Sequence, residues 1–395
     1  MHESDDFLLW SYPHCYLDDD VSLYHDVLIP ELQTNINLLI RKLISQTFCK
    51  FYMVLVWKIS IMFPRGAKSR SFIIVIAGSL FLTIFFSSFQ ANYALAINFG
   101  AAGDWGCNSN TGKTVSNIRS HNSPERILAL GDYSYTSTPT CWLDIIDSIK
   151  NRTRITIGNH EDDSSEGFSQ YMSAFGLSKT YYSFNYGNVH VLVMDSDRAS
   201  YSKGSAQYNF VISDLQSASQ NSNIKWIIVY LHKQMYTSPT TCNSGIFSCS
   251  NTGSEATNLR NIYHSQFGKY GVDVVLNGHV HNYQRTYPIK YDRDSPSSPL
   301  VTNFNSQDYS DPYGQIFALV GTGGVNLNGL VGKSSFVKYQ QDDRFGALDI
   351  NIENNGYKLA GRYYTNDGVK RDVFTITKTG PASYSNGSRL SLSGQ

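Results

Sequence analysis

Five short segments carry the residues best able to do chemistry: Gly103-Asp104-Trp105-Gly106, Gly131-Asp132-Tyr133-Ser134-Tyr135, Gly158-Asn159-His160-Glu161, Val229-Tyr230-Leu231-His232 and Gly278-His279-Val280-His281. Their carboxylates, amide and imidazoles are the donors that hard and borderline metal ions take. A Gly-Asp after a strand is more often a turn than a ligand, and a lone His232 is more often a core residue held by hydrogen bonds. The pair His279 and His281 says more, because alternate residues of an extended segment share one side and can reach neighbouring ions. A glycine precedes the donor in four of the five segments, as a chain turning sharply beside an ion requires. The common order and position of all five point to a metal site.

The elements that must position them are strands. The runs Arg126 to Leu130, Arg154 to Ile157, Ile224 to Tyr230 and Val272 to Leu276 are apolar and β-branched, as strands buried on both faces must be. Ligands of open α/β sheets bind beyond the carboxyl ends of such strands. Trp142, Ile145, Ile146 and Ile149, and likewise Tyr208, Val211, Ile212 and Leu215, recur at helical spacing and predict two sheet-covering helices. Tyr181 to Phe184 and Val189 to Met194 flank a turn at Asn185-Tyr186-Gly187-Asn188 and predict a hairpin. From about residue 312 the pattern becomes strands without helices, at Gln315 to Val320, Ala347 to Ile352, Lys358 to Tyr364 and Asp372 to Lys378, with a second hairpin turn around Glu353 to Gly356. The class is layered α/β, with no linker dividing Ile97 to Lys378.

Acidic and basic residues balance at 32 each, which gives no basic face for nucleic acid and leaves a small molecule as the expected partner. Phe72 to Phe86 is apolar and uncharged, with Arg65, Lys68 and Arg70 before it and Ala94-Leu95-Ala96 after it. That is the pattern of an export signal cut before Ile97, or of an uncleaved anchor spanning about 30 Å of bilayer; a membrane contact would run through residues 72–90. Both readings put the catalytic portion outside the cytoplasm, extracellular or at the cell surface. Residues 1–61 carry no turn grammar or ligand cluster, Met62 is a natural start, and His2, His14 and His25 are assigned no role. Residues 62–96 are the signal or anchor, 97–379 the catalytic domain, and the Ser/Gly-rich 380–395 a disordered tail. Beyond the cut four cysteines remain. In an oxidising compartment they predict two disulfides, Cys242 with Cys249 as the easier pair and Cys107 with Cys141 by elimination; free buried thiols are the other reading.

The ordered set resembles the calcineurin-like metallophosphoesterases, and among them the purple acid phosphatases, because the first motif is Gly-Asp-x-Gly and a tyrosine stands three residues after the second aspartate. The likeness covers nearly all of Ile97 to Lys378 and continues through Asn282-Tyr283-Gln284-Arg285. It implies a four-layer αββα sandwich with mixed sheets. It further implies one metal held by Asp104, Tyr135 and His281, a second held by Asn159, His232 and His279, and Asp132 bridging both and essential to catalysis. A hard phenolate suits Fe(III), and an amide with two imidazoles suits divalent Zn, Fe or Mn. The implied reaction is hydrolysis of phosphate monoesters by a metal-bound hydroxide, with His160 at the leaving group and Tyr283 and Arg285 as substrate-binding candidates. Phosphodiester or nucleotide pyrophosphate cleavage by the same centre, and a surface protein that binds metal or phosphate without turnover, are the alternatives.

The family's further histidines after the fourth motif are missing here: Lys233-Gln234-Met235-Tyr236 leads to no histidine before His264. Lys233 is read as solvated or as a substitute positive charge, His264 as a surface or packing residue, Asp195 as a loop cap and His190 as packing. Asn151-Arg152-Thr153 and Asn386-Gly387-Ser388 fit the glycosylation sequon.

Overall fold

The computed structural model describes residues 97–121, 123–161, 164–241, 248–249, 253–379, 383–385 and 388–390. The N-terminal extension, the signal or anchor, the Cys242–Cys249 pairing and most of the tail apart from 383–385 and 388–390 lie outside them. Among the described residues, no helix is long and apolar enough to cross a membrane.

Along the chain come β1 (Ile97–Ala102), α1 (Ser109–His121), β2 (Arg126–Ala129), α2 (Thr140–Ile145), β3 (Thr153–Ile155), α3 (Ser165–Ala174), β4 (Tyr182–Tyr186), β5 (Val189–Val193), α4 (Ala206–Gln220) and β6 (Trp226–Tyr230). Then follow α5 (Ser254–Leu259), a π turn (Arg260–His264), α6 (Ser265–Lys269), β7 (Val274–Asn277), β8 (Tyr283–Thr286), β9 (Asp308–Ser310), β10 (Ile316–Val320), β11 (Val337–Gln341), β12 (Gly346–Glu353), β13 (Lys358–Thr365) and β14 (Lys370–Thr377). The first sheet has the order β9-β14-β13-β12-β1-β2-β3 and the second β11-β8-β10-β7-β6-β5-β4. Both are mixed: β1 runs parallel to β2 but antiparallel to β12, and β7 runs parallel to β6 and β10 while β8 is antiparallel to β10.

Period-2 alternation builds three apolar layers. Trp226, Ile228 and Tyr230 of β6 face a core between the sheets, shared with Phe99, Leu128 and Ile350 of the first sheet. Ile227 and Val229 face outward and pack under α4 and α5. On the far side α1, α2 and α3 cover Ala102, Ile127 and Ile155. The result is the four-layer αββα sandwich with mixed sheets.

Local chemistry explains the departures. The stripe Trp142 to Ile149 is not one helix: at Ile146 the backbone (φ −89°, ψ 3°) leaves α geometry and continues as a 3₁₀ turn, Asp147–Arg152. The helix α1 escapes apolar periodicity because Thr111, Thr114 and Asn117 make much of its buried face. Hydrogen bonds satisfy them instead, Thr111 Oγ1 donating to the Gly106 carbonyl at 2.9 Å and Asn117 Nδ2 to that of Tyr364 at 2.9 Å.

Candidate metal centre

The expected donors all follow strand ends. Asp104 follows β1, Asp132 and Tyr135 follow β2, Asn159 and His160 follow β3, His232 follows β6, and His279 and His281 lie in the turn from β7 to β8. Asp104, Asp132, Tyr135 and His279 have φ of 60°, 55°, 56° and 74°, a left-handed conformation that residues with a Cβ rarely adopt and that the surroundings must enforce. Glycines make this packing feasible. A Cβ on Gly158 would overlap the Asp132 carboxylate, and one on Gly131 (φ 90°) the His232 ring.

Of the seven expected ligands, the four oxygen donors come from loops of the first sheet and the three imidazoles from loops of the second. They gather in two groups. Tyr135 Oη lies 3.4 Å from Asp104 Oδ1, 3.4 Å from Asp132 Oδ2 and 3.1 Å from His281 Nε2, and His281 Nε2 is 3.4 Å from Asp104 Oδ1. In the other group His279 Nδ1 is 2.9 Å from Asn159 Oδ1 and 3.2 Å from His232 Nε2, while His232 Nε2 is 3.2 Å from both Asn159 Oδ1 and Asp132 Oδ2. Asp132 Oδ2 lies within 3.4 Å of a side-chain donor atom of each group, Tyr135 Oη in one and His232 Nε2 in the other, and the His279 N–H also crosses between them, donating to Asp104 at 2.9 and 3.1 Å. The ligating atoms of Asp132, His232 and His279 fall within 4.8 Å of one another.

The donor chemistry fits cations. His232 Nδ1 is 2.8 Å from the Leu130 carbonyl and His281 Nδ1 2.8 Å from that of Asn326. A carbonyl only accepts, so each Nδ1 carries a proton and each Nε2 faces the oxygens; burial disfavours the charged rings, but Asp132 beside His232 and Asp104 beside His281 raise both above the ordinary imidazole value, so each Nε2 would take a metal ion in exchange for its proton. Asp104 and Asp132 are buried, and their ion-pair partners among the described residues are imidazoles. Carboxylates buried this close together need positive charge among them, which protons on the imidazoles supply and a metal ion would supply in their place.

The protein's own charges act in the same sense. Burial raises Asp132, but the adjoining His232 imidazole overrides it and holds the carboxyl below the usual range. Burial, then Asp104 and Asp132, push the Tyr135 phenol well above its ordinary value, so a phenolate forms there only against a strong cation. Burial and the neighbouring His232 push His279 down to about 4, which keeps it an unprotonated donor.

A carboxylate that is not a ligand organises the first sheet's loops. Glu161 is buried and accepts the backbone N–H groups of Asp132 and Tyr133 at 2.8 Å each and of Gly158 at 2.9 Å. Burial and the Asp132 charge push it up to about 8. Sequence reasoning quoted Glu161 inside its motif without giving it a role; an acid beside a ligand and held off the metal was the available signal. Asn328 was also missed. Its Oδ1 accepts from His281 N at 2.9 Å and its own N–H donates to the His281 carbonyl at 2.8 Å, fixing the histidine from the loop after β10.

His160 stands at the edge of the site. Its N–H donates to Asp132 Oδ1 at 3.0 Å, its Nε2 is 4.0 Å from Asp132 Oδ2, its ring lies 4.2 Å from that of Tyr135, and its side chain is 35% exposed. Tyr283 and Arg285 are not brought to the site. Successive residues of a strand point to opposite faces, and both project between the sheets. Tyr283 stacks on Tyr363 at 3.8 Å and donates to Asp372 at 2.9 Å, and Arg285 meets Asp372 at 2.6 and 2.8 Å. This corrects their assignment to substrate, since their polar groups are committed inside the core.

Lys233 is not a solvated lysine: it pairs with Asp197 at 3.1 Å and with Glu255 at 2.5 Å. Asp195 is a loop cap, accepting from the N–H groups of Asp197, Arg198 and Ala199. His190 packs inside β5 against Asp214 at 2.7 Å. His264 is buried between Tyr236 (2.7 Å) and Gln315 (3.1 Å). Cys107 and Cys141 form a disulfide.

Residues 97–283 match the family model described as calcineurin-like phosphoesterase. Purple acid phosphatase 15 of Arabidopsis thaliana is 28% identical over 262 residues, 56% of this chain and 44% of its own. The Fe(3+)-Zn(2+) purple acid phosphatase 12 of the same plant is 28% identical over 59% of this chain and 51% of its own. The chain thus spans about half the length of these relatives. Among solved structures, a purple acid phosphatase from yellow lupin (Lupinus luteus) seeds shares the fold, with a TM-score of 0.57 at 21% identity, over 72% of this chain and 54% of that one.

Proposed function

We propose that the chain, whose residues 97–283 match the family model described as calcineurin-like phosphoesterase, hydrolyses phosphate monoesters at a dinuclear centre. Asp104, Tyr135 and His281 would hold Fe(III), Asn159, His232 and His279 would hold a divalent ion (Zn, Fe or Mn), and Asp132 would join the two. The observation that carries this reading is the position of Asp132 Oδ2, 3.4 Å from Tyr135 Oη and 3.2 Å from His232 Nε2. Pure metal storage needs no carboxylate shared between two donor groups. A bound pair of cations supplies activated water and neutralises charge on the phosphoryl oxygens.

The chain's own residues do the rest. The Glu161 and Asn328 hydrogen bonds fix the ligands before substrate arrives, so binding need not order them. His160 is the exposed donor at the rim and would protonate the leaving alkoxide. Arg285 and Lys233 are occupied by carboxylates, so phosphate would be held by the cations and His160 and the alcohol left loosely gripped, which suits broad specificity. The Cys107–Cys141 disulfide supports an exported protein acting in an oxidising compartment.

The test is hydrolysis of para-nitrophenyl phosphate beside its bis-ester, with metal analysis on the same sample, for the wild type and Asp132→Ala. Two metals per chain, preference for the monoester, and loss of both metals and activity in the variant are expected. A metal-replete but inert wild type would leave a binding protein, and a preference for the bis-ester a phosphodiesterase.

A further inference from the structure

We infer a second small-molecule site, for a compact ring-bearing organic anion, at the end of the second sheet opposite the metal centre. Metal donors follow the carboxyl ends of the parallel strands, whereas Val272 and Gln315, at the amino ends of β7 and β10, line a cavity of about 220 Å³. A dry cavity of about 150 Å³ accepts benzene, so this one holds a single ring with a charged substituent.

Its walls are cationic and aromatic. Lys269 and Lys290 both line it; the Lys269 ammonium stands 4.9 Å from the centre of the Tyr270 ring, outside the lining, which leaves Lys290 as the cation placed at the cavity, with no carboxylate partner among the described residues. Lys290 Nζ stands 4.7 Å from the centre of the Tyr313 ring, so its charge lies at the cavity wall. The nearby Asp292 is turned to its own loop, accepting from Asp294 N at 2.9 Å and Ser295 N at 3.3 Å. Tyr291 lines the cavity too, its ring steadied by an Oη–Asn261 hydrogen bond of 2.8 Å.

The floor carries an aimed donor. Burial pushes His264 down to about 3, so the ring is neutral with one proton to give. Gln315 Oε1 lies 3.1 Å from His264 Nε2 and accepts that proton, while the Tyr236 hydroxyl donates to Nδ1 at 2.7 Å. The Gln315 amide is thereby fixed with its NH₂ group turned away from the histidine. That Nε2 has no partner among the described residues although Gln315 is only 5% exposed. Paired backbone hydrogen bonds of 2.9 Å between Gln315 and Ile289 set this donor beside Lys290. They require Gly314, whose φ of 148° and contact with Ile289 exclude a side chain. One ammonium group, two phenol rings and an amide donor recognise a carboxylate or phosphate carried on a flat ring.

Calorimetric titration of the metal-loaded protein with benzoate should give saturable binding with a Kd near or below ~1 mM, and the neutral isostere benzyl alcohol should bind at least tenfold more weakly. Lys290→Met and Gln315→Leu should each weaken benzoate at least tenfold, Lys290→Arg should retain it, and His160→Ala should leave it unchanged. Inorganic phosphate in the same titration separates recognition of the ring from recognition of the anion alone. Absence of saturable benzoate binding, an unchanged Kd in Lys290→Met, or loss of binding in His160→Ala would overturn the site. The last result would place benzoate at the metal centre and leave the proposed phosphatase reading untouched.

Discussion

Glu161 Oε2 accepts the backbone N–H of Asp132 at 2.8 Å, so the carboxylate placed between the two donor groups is set by a second carboxylate that never reaches them. Glu161→Gln puts an NH₂ against one of three N–H donors. Metal affinity or kcat should fall about 10- to 100-fold, the usual effect of losing an outer partner of a ligand, with the fold kept. Metal titration followed by circular dichroism checks it; unchanged affinity and rate would reduce Glu161 to a packing residue.

For His160→Ala, metal content should stay at the wild-type level while kcat falls by roughly 10² to 10⁴, the range for a general acid. The drop should shrink for esters of acidic phenols, whose leaving groups need no proton. Loss of metal in this variant would move His160 into the ligand set.

A phenolate bound to Fe(III) transfers charge to the metal in the visible range, so protein shown to contain ferric iron should be pink to purple. Tyr135→Phe should bleach it and weaken the site built with Asp104 and His281, leaving that of Asn159, His232 and His279 largely loaded. A spectrum that survives the substitution would remove Tyr135 from the centre.

Arg285→Met leaves the buried Asp372 without its cation, with only the Tyr283 hydroxyl as a recorded side-chain donor, and should destabilise the fold by about 3–5 kcal/mol, with KM unchanged in whatever remains folded. Adding Asp372→Leu should restore most of the loss. Urea unfolding together with steady-state kinetics checks both; a raised KM at full stability would return Arg285 to the substrate.

His264 lies near 3 in the fold, against about 6.5 in an unfolded chain. Between those values the unfolded chain binds a proton that the folded chain refuses. Stability therefore falls as the pH drops through that window, by about 1.4 kcal/mol per pH unit, and this contribution is constant above it. In His264→Gln the acid limb of a stability–pH curve should be shallower by that slope. An identical limb would show that His264 is not buried neutral.

The convergence of the candidate metal donors is legible because each follows an apolar run that could only be a strand, and strand ends converge in this class of fold. The substrate role that the resemblance implies for Tyr283 and Arg285 does not fit the geometry, since the chain re-enters a strand at Tyr283 and both side chains turn into the core. The helix α1 was invisible because Thr and Asn fill its inner face, and only hydrogen bonds to distant carbonyls make that burial tolerable. Lys233 looked solvated because its partners, Asp197 and Glu255, come from separate loops that only the fold brings together.

The division of donors between the sheets bears on the order of events during folding. Neither sheet alone offers a complete set for either ion, since Asp104 and His281 are separated by 177 positions of chain and meet only when the two faces close. A half-formed domain can display acids or imidazoles, but not both at one point, so stray cations gain little hold on it. Capture would thus be deferred until the layers have docked, and escape of metal would then gauge how often the loops at that edge part.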